Sequence, residues 1–546
     1  MSRPSDHIDS PAPPPKGSGI NQPKLGPVGY LRFFWRQLTS MRTALFLLLL
    51  LAVAAVPGSL FPQRSSDPNG VIDYFTKNPD SAPVLDKLQL FDVYTSVWFS
   101  AIYLLLFVSL IGCVIPRTTH HIQALRGRPP RTPAHLGRLS AFVEVEAPGV
   151  EAAAAIDSAR GLLRRSGYRV ELYQGPELSV SAERGYLRET GNLVFHTALI
   201  GILISVGVGS GFGYTGQKVL VEGQAFANVR LSYDSINPGR FFNEAALPPY
   251  RIRLDDFSAT YEEKNLNALG QPIDFSAAVT TYQGEGPGHK SVIKVNEPLR
   301  IDGNDVYLLG NGYAPSITVR DPTGKVVFSD QVPFLAQDAN LTSLGVIKVP
   351  DGLADQLGMQ GFFYPTAAKL ESGALTSNHP DLQNPVLSLR VYKGDLGIDG
   401  GIAKSVYSLD TSEMTSIAGD TAGVPALELR PGQTVDIPGG LGTVTFDNLD
   451  PGAKDLLHSV ARFASLDVHH DPTQGWVLFF AICVVLGLLT SLFIPRRRVW
   501  VKAVETDAGL RLEYAGLARG DDPGLESAVT EIARKHSEQL GLRLAP

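Results

Sequence analysis

Residues Leu193–Phe212 read LVFHTALIGILISVGVGSGF, a run with one histidine and no other ionisable side chain. A helix needs about 20 mostly apolar residues to cross the hydrocarbon core of a membrane. This run therefore predicts a transmembrane helix. Three more runs have a similar length and character, and the sequence predicts four spans in total: residues 43–61, 97–115, 193–212 and 476–494.

The first of these runs is the weakest, because its continuous apolar core, residues 44–56, is followed by Pro57 and Gly58. A cleaved signal peptide also has a short apolar core, but it starts nearer the N-terminus and ends at a small-residue cleavage site. We therefore expect the first run to remain in the protein as a membrane span.

Basic residues are concentrated on one side of the predicted spans. Segments 1–61, 116–190 and 475–546 contain 26 lysines and arginines against 18 acidic residues, whereas segments 62–96 and 214–474 contain 22 against 36. By the positive-inside rule, the first group is cytoplasmic, including both termini. The predicted segments between the spans are a disordered cytoplasmic arm at 1–42, an outer loop at 62–96, a cytoplasmic loop at 116–190, an outer domain at 214–474 and a cytoplasmic tail at 495–546.

The parts outside the spans differ in pattern. Short apolar runs bounded by turn residues fill 214–474, as at Tyr250–Leu254 and Val386–Tyr392, and predict a large, mostly antiparallel β-rich domain. The loop 116–190 combines strand-like runs with a helix-like run at Val150–Ser166, and the tail has the same style. The predicted fold class is thus a membrane protein with four transmembrane helices, a large extracytoplasmic β-rich domain and a small cytoplasmic α/β portion made from loop and tail.

The chemistry of the sequence excludes several common functions. Both cysteines, Cys113 and Cys483, fall inside predicted spans, so the outer domain has no thiol and no disulfide. The sequence contains no Cys-x-x-Cys-His, His-Glu-x-x-His, Gly-x-Ser-x-Gly or Walker phosphate-loop motif, which excludes c-type cytochromes and common hydrolases and ATPases. The outer domain is acidic and lacks a basic patch interleaved with aromatic residues, which argues against a nucleic-acid partner.

His196 is the only histidine in the four apolar runs. An ionisable residue inside a span is costly unless it faces protein, is paired or binds a ligand, so it marks a functional site by default. Small residues recur every four positions beside it, at Thr197, Gly201, Ser205 and Gly209, and form a stripe suited to close helix packing. His196 lies about 100° around the helix from Thr197 and therefore points away from this stripe.

The position of His196 suits a ligand that enters from the cytoplasm, because it lies about 5–6 Å along the helix from the cytoplasmic end, at ~1.5 Å per residue. Neutral imidazole is a good iron ligand, and a flat apolar macrocycle such as haem can lie along leucine and isoleucine side chains. The haem propionates would then lie near Arg184 or Arg188. The alternative is a structural histidine bonded to a carbonyl group on a neighbouring helix.

Other histidines lie next to the spans. His469 and His470 precede the fourth span, with His458 upstream. Adjacent side chains of an extended chain point to opposite faces, so at most one of the pair faces a given site. They either form a solvated turn beside the membrane or provide an axial haem ligand on the outer face. His120 and His121 follow the second span beside several arginines, and we expect them to face lipid headgroups.

A set of short motifs occurs in order along the chain. The motifs are GYLRETG at Gly185–Gly191 followed by Phe195 and His196, LDDF at Leu254–Phe257 with Tyr261, VNEPL at Val295–Leu299, Val306 and Tyr307, GYAP at Gly312–Pro315, LDV at Leu466–Val468 with Asp471 and Pro472, and RRVWV at Arg497–Val501. In these motifs the chain resembles the ResB family of System II cytochrome c maturation proteins, and the resemblance covers nearly its whole length.

The resemblance implies a function in the bacterial plasma membrane. It implies that the protein works with a ResC-type haem-handling partner to move haem outward and attach it to apocytochrome c. It also implies that the histidine at this place in the third span, His196, is a haem ligand, and that separate thioredoxin-like proteins keep the apocytochrome thiols reduced. It gives no comparable support to His469, His470 or His458.

Two alternatives follow from the same sequence. The chain could instead be a membrane-anchored scaffold that recruits apocytochrome or stabilises the partner without binding haem itself. A transporter of polar small molecules is disfavoured, because four spans with one ionisable side chain and no repeated halves offer no polar path. Attachment of haem to thiols needs only proximity, so we expect a non-catalytic or co-catalytic subunit of a haem-ligating complex.

Overall fold

The computed structural model describes residues 26–265, 267–398, 407–419, 423–507 and 509–542. The chain divides into two compact units. The first comprises Met1–Ile204 with Trp476–Pro546, and the second comprises Ser205–Gly475. We describe each unit by itself, for the residues given above.

The helices include short connecting elements and long apolar ones. In chain order they are α1 (Pro27–Leu38), α2 (Met41–Leu60), α3 (Pro68–Lys77), α4 (Ala82–Lys87), α5 (Val97–Arg126), α6 (Ala152–Arg165), α7 (Leu187–Phe212), α8 (Gln474–Phe493) and α9 (Leu525–Gln539).

The strands are short and numerous. In chain order they are β1 (Ala141–Ala147), β2 (Arg169–Gln174), β3 (Leu178–Arg184), β4 (Tyr214–Val221), β5 (Ala225–Ala227), β6 (Ser235–Pro238), β7 (Tyr250–Tyr261), β8 (Pro272–Gln283), β9 (His289–Lys294), β10 (Leu299–Ile301), β11 (Asn304–Ala314), β12 (Ser316–Arg320), β13 (Val326–Gln331), β14 (Leu335–Ala336), β15 (Ser343–Val349), β16 (Leu357–Tyr364), β17 (Ala367–Lys369), β18 (Leu375–Ser377), β19 (Val386–Gly394), β20 (Met414–Ala418), β21 (Leu427–Leu429), β22 (Gln433–Asp436), β23 (Thr443–Phe446), β24 (Ala461–His470), β25 (Arg497–Thr506) and β26 (Gly509–Ala518).

Four helices, α2, α5, α7 and α8, are long and apolar enough to cross a membrane, which confirms the expectation of four candidate spans. Two of them are longer than the apolar runs that predict them. Helix α5 continues from the predicted end at Ile115 to Arg126, and α7 begins at Leu187 rather than Leu193. Apolar composition marks only the part of a helix inside the hydrocarbon, whereas the backbone hydrogen bonds continue into charged sequence.

The arm predicted at 1–42 contains helix, which corrects the expectation of disorder for part of it. Residues 1–25 lie outside the described residues, whereas α1 occupies Pro27–Leu38. Proline at the first helical position suits a helix start, and apolar residues with helical spacing follow it. Ser40 then caps α2, because its hydroxyl oxygen accepts a hydrogen bond from the Thr43 amide at 3.2 Å.

The loop and tail of the first unit fold together. Their strands form one antiparallel sheet of order β1-β26-β25-β3-β2, so the tail hairpin lies between strands of the loop. Helices α6 and α9 pack on this sheet around a core that includes Leu163, Val501 and Leu512. The sequence therefore predicted one α/β unit correctly, while its cytoplasmic location stays a prediction.

A buried histidine joins the two helices to the sheet of this α/β unit. His536 of α9 is fully buried; its Nδ1 lies 2.7 Å from the hydroxyl of Tyr514, and its Nε2 lies 3.0 Å from the carbonyl oxygen of Ala155. Because the Ala155 carbonyl accepts only, Nε2 carries the hydrogen and the Tyr514 hydroxyl donates to Nδ1. Both ring nitrogens are thus used within the fold.

The second unit is β-rich, as the sequence predicts. Its strands form antiparallel sheets of order β10-β11-β24-β4-β6, β5-β7-β8-β9, β13-β12-β23-β22 and β14-β15-β16-β19-β20, with β21 beside β19 and a β17-β18 pair. Its largest core is mostly aliphatic and includes four fully buried aromatic residues, Tyr313, Phe334, Phe363 and Phe446. Strand β24 lies between β11 and β4 and ends at His470.

Candidate functional site

A cavity of about 530 Å³ in the first unit is lined by one face of α5 and one face of α7. Residues three and four apart share a helix face, and the lining residues of both helices follow this spacing. From α5 the cavity receives Val114, Arg117, His120, His121 and Ala124; from α7 it receives Glu189, Asn192, Leu193 and His196; and Arg496, Arg498 and Arg519 complete it.

The imidazole of His196 is held by its own helix. Its Nδ1 lies 2.8 Å from the carbonyl oxygen of Asn192, one turn earlier in α7. A carbonyl oxygen only accepts hydrogen bonds, so Nδ1 must donate, and Nε2 keeps its lone pair. This is the arrangement found for metal-bound histidines, in which the second ring nitrogen fixes the tautomer and the ring orientation. In the neutral imidazole, Nε2 is therefore the nitrogen that keeps a lone pair for a ligand.

The small-residue stripe of α7 does not line the cavity with His196. It contacts other residues, among them Phe480 and Thr473. A Cβ atom added at Gly201 would lie 2.5 Å from the ring of Phe480 in α8, so only glycine permits this approach of the helix to the ring. Further along, the carbonyl oxygen of Ser205 accepts a hydrogen bond from the Thr473 hydroxyl at 2.8 Å. The predicted division of α7 into a packing stripe and a separate histidine face agrees with these contacts.

A network of buried charges supports the end of the cavity formed by Arg496. Arg496 is buried between Glu183, whose Oε1 lies 2.7 Å from its Nη2, and Glu189, with which it also forms an ion pair. Arg498 contacts Glu183 at 3.0 Å, and Arg519 contacts Glu189. The two carboxylates therefore fix the guanidinium groups that line the cavity.

The pKa values of two groups beside Arg496, the carboxyl of Glu183 and the hydroxyl of Tyr186, are shifted from their ordinary values. Burial disfavours the charged form of Glu183, but hydrogen bonds from Tyr186 and Arg496 outweigh it and lower the pKa of this carboxyl. Burial and the neighbouring Glu183 carboxylate raise the pKa of Tyr186 to about 12. Glu183 is consequently an anion and Tyr186 a neutral hydrogen-bond donor at neutral pH, at 2.8 Å from each other.

His121 corrects one expectation from the sequence. It is buried, with Nε2 2.9 Å from the Thr190 hydroxyl and Nδ1 3.5 Å from Glu189, so it joins α5 to α7 and does not face headgroups. The apolar run ends at Ile115, whereas α5 continues to Arg126 and brings His121 against α7. His120, by contrast, is exposed at the cavity.

The chain was then compared with known proteins. The ResB-like family matches residues 41–530. The chain belongs to the ResB-like family. Two similar proteins are named cytochrome c biogenesis protein CcsB. The one from Synechococcus sp. (strain CC9311) is 28% identical over 283 residues, which cover 51% of this chain and 59% of the relative. The one from Gloeobacter violaceus (strain ATCC 29082 / PCC 7421) is 27% identical over 282 residues, which cover 50% of this chain and 54% of the relative. The chain thus matches less than two thirds of these relatives' length.

The two arginines predicted to bind propionates lie elsewhere in this ResB-like protein. The guanidinium of Arg184 stacks over the ring of Tyr168, with 4.6 Å to its centroid. Arg188 donates to the backbone carbonyl of Arg519. The arginines that line the cavity with His196 come instead from the extension of α5 and from the tail, at Arg117, Arg496, Arg498 and Arg519. Helical spacing from His120 back to Arg117 could have indicated the first of them.

The histidines of β24 are held differently from each other, and both belong to the second unit. His469 is half-exposed, and its Nε2 lies 2.7 Å from Asp467, whose carboxylate raises the histidine pKa. His470 stacks on Tyr214, and its Nδ1 donates to the carbonyl oxygen of Gly303 at 3.0 Å. His458 is exposed before β24. The alternation of His469 and His470 agrees with the expectation that the two rings point to opposite faces of the strand.

The donor set of the cavity fits a haem better than a bare metal ion. Within the described residues, no group of three or more His, Cys, Asp or Glu side chains could hold a metal ion. A bare transition metal needs several protein ligands, whereas haem iron needs one or two beyond the porphyrin nitrogens. His196 would be the residue to supply such a ligand, because it lines the cavity beside apolar Val114 and Leu193 and a group of arginines.

Proposed function

We propose that this ResB-like protein is a subunit of a System II cytochrome c maturation complex. In this proposal, the complex delivers haem across the bacterial plasma membrane and supports its covalent attachment to apocytochrome c. Haem is the cargo of the complex and not a resident cofactor. Membership of the ResB-like family and relatives named for cytochrome c biogenesis support the pathway.

The observation that carries the haem-binding part of the proposal is the state of His196. Its Nδ1 donates to the Asn192 carbonyl, which leaves the Nε2 lone pair for iron, and its ring lines a cavity with basic and apolar walls. A histidine kept only for packing needs neither a cavity nor a free ring nitrogen. The role of this chain's residues is to bind and orient the cargo before the partner receives it.

Other components complete the proposed complex. A ResC-type membrane protein would receive haem and hold it where attachment occurs, and thioredoxin-like proteins would keep the apocytochrome thiols reduced. This chain has cysteines only at Cys113 and Cys483, in α5 and α8, so the thiol chemistry must come from elsewhere. Attachment gains from holding thiols against the haem vinyl groups, which makes the reaction effectively intramolecular.

The topology in the proposal follows the distribution of charge. The basic segments, with both termini and the loop–tail sheet, are cytoplasmic, and residues 214–474 are extracytoplasmic. Haem would then meet His196 from the cytoplasmic side.

The size of the β-rich domain favours a second role, in which it recruits apocytochrome or braces the partner. About half of the chain belongs to this unit, which has hydrophobic cores of its own. If this scaffold role were the whole function, the purified chain would contain no haem, and substitutions of His196 would be tolerated.

The test is a set of reduced-minus-oxidised absorption spectra of the chain purified in detergent, alone and with the ResC-type partner. We expect a haem signal in the wild type that weakens strongly in His196→Ala. If the signal appears only with the partner and is unaffected by the substitution, the scaffold role is the only one that remains for this chain.

A further inference from the structure

The cavity beside His196 carries an excess of positive charge. Its lining includes four arginines, at Arg117, Arg496, Arg498 and Arg519. The ion pairs among the described residues set two carboxylates, Glu183 and Glu189, against them. Among the described residues, the four guanidinium charges therefore exceed the two carboxylate charges by two. Uncompensated guanidinium groups in a half-enclosed site attract an anionic ligand.

Arg117 differs from the other three arginines. Its Nη2 lies 2.7 Å from the thioether sulfur of Met41, a weak acceptor, and among the described residues it has no carboxylate within ion-pair distance. Arg498 and Arg519 also keep hydrogen-bond donors for a ligand. The contacts of Arg498 with Glu183 and of Arg519 with Glu189 each occupy part of a five-donor guanidinium group.

The arrangement along α7 separates the charged end of the cavity from the histidine. Glu189, which holds Arg496 and Arg519, precedes His196 by seven residues, which is about 10 Å at ~1.5 Å per residue. Arg496 and Arg519, held at Glu189, thus lie about two helical turns from the histidine along one wall, and this arrangement suits a ligand that has a metal at its centre and acids at its edge.

We propose that Arg117, Arg498 and Arg519 bind the two propionates of haem while Nε2 of His196 faces the iron. This inference rests on the proposed function and deepens it, because it defines the cargo as a metalloporphyrin with free carboxylates. The two propionates would neutralise the two excess positive charges. Arg496 positions Glu183 and Glu189 and does not need to contact the ligand.

An anionic lipid headgroup shares the acidic chemistry of the propionates. A lipid, however, has no use for the free ring nitrogen of His196 in the same cavity, so the observations favour the porphyrin. A comparison of haem with its dimethyl ester separates the two, because the ester keeps the iron and the macrocycle but has lost both charges.

The experiment measures the binding of haem and of haem dimethyl ester to the full-length chain in detergent, by absorption titration. The variants are Arg117→Gln and Arg519→Gln, with His196→Ala as a ligand variant. Arg128→Gln is the matched control, because Arg128 is exposed, pairs with Glu171 and does not line the cavity.

We expect the wild type and the Arg128 control to bind haem at least about tenfold more tightly than the ester, a factor that one charge-assisted hydrogen bond can supply. Arg117→Gln and Arg519→Gln should lose most of this preference while binding the ester as the wild type does. His196→Ala should weaken both ligands and alter the iron spectrum.

Two results would overturn the inference. One is an unchanged preference for haem in both cavity variants; the other is an equal loss of haem and ester affinity in them. In either case, sensitivity of the iron spectrum to His196→Ala would still support the proposed function. Absence of haem binding in the wild type, or displacement of haem by anionic lipid without any effect of His196→Ala, would reject this inference and the haem-binding part of the proposed function.

Discussion

His196 and His469 are both histidines of a membrane protein, but the groups behind their rings differ. The ring of His196 donates from Nδ1 to the carbonyl oxygen of Asn192 and keeps Nε2 for a ligand. The ring of His469 directs Nε2 to the carboxylate of Asp467, which favours its protonated form. Each contact fixes one ring nitrogen, and either kind of partner is found behind metal-bound histidines. The surroundings of the two rings, more than these hydrogen bonds, therefore separate the two histidines.

The surroundings of the two histidines differ as well. His196 lines a cavity with four arginines, three of which are held by two carboxylates. His469 is half-exposed at the end of β24, against the ring of Tyr307. The first arrangement has the features of a binding site, and the second those of a surface ion pair.

Removal of the His196 ring and of the His469 ring, each by itself, tests this comparison with the largest expected effect. In cells that carry the whole maturation pathway, we expect His196→Ala to reduce the yield of holocytochrome c at least about tenfold, because loss of one iron ligand removes a large part of the binding free energy. His469→Ala is the matched control and should leave the yield within about twofold. Haem staining of membrane fractions measures both, and equal effects of the two substitutions would contradict the comparison.

Removal of a buried carboxylate beside the cavity should have the next largest effect. Glu183→Gln removes one of the two carboxylates that hold the buried Arg496, and the expected loss of stability is about 3–5 kcal/mol. The measurement is the thermal midpoint of the detergent-purified protein. Glu531→Gln, which removes an exposed pair with Arg534 on α9, should leave that midpoint near the wild-type value. A stable Glu183→Gln protein would mean that the charge network does not hold the cavity together.

The contact between α7 and α8 provides a smaller test of the packing behind His196. A Cβ atom added at Gly487 would lie 2.7 Å from the carbonyl oxygen of Gly191, so Gly487→Leu should destabilise the helix pair by about 1–3 kcal/mol through overpacking. Gly475→Ala in the same helix is the control, because its added methyl group meets no atom within 4 Å. If both variants melt alike, the close approach of the two helices is not required.

The smallest expected effect concerns the pH dependence contributed by His469. Asp467 raises the pKa of His469 in the folded state, so the stabilisation is complete below the unfolded value near 6.5 and is lost as the pH rises through the folded value. The stability difference between wild type and His469→Ala should therefore be larger at about pH 5.5 than at about pH 8.5. A difference that grows with pH would contradict the assignment of the Asp467 contact.

Much of the fold could be predicted because its signals are local. The apolar runs predicted the four long helices, and strand, helix and turn patterns predicted β7, β19 and one α/β unit made from loop and tail. The segments next to the apolar runs were harder to predict. The helix α1 and the extension of α5 lie where the apolar signal ends, so composition marked them as an arm and a loop.

The candidate site was predicted in part. His196 stood out because a histidine is rare in an apolar run, and its tautomer follows from a contact within one helical turn. The arginines of the cavity were missed, because Arg498 and Arg519 come from the tail, more than 300 residues from His196, and reach it only through the sheet that joins tail and loop. Proximity in sequence therefore pointed to Arg184 and Arg188.

The central claim, that Nε2 of His196 binds haem iron, is tested most directly by chemical rescue. The purified His196→Gly protein should bind haem weakly, with an altered iron spectrum, and added imidazole should restore the wild-type spectrum by taking the place of the missing ring. A His469→Gly protein should need no rescue. If the His196→Gly spectrum equals that of the wild type without imidazole, His196 is not the ligand and the account fails.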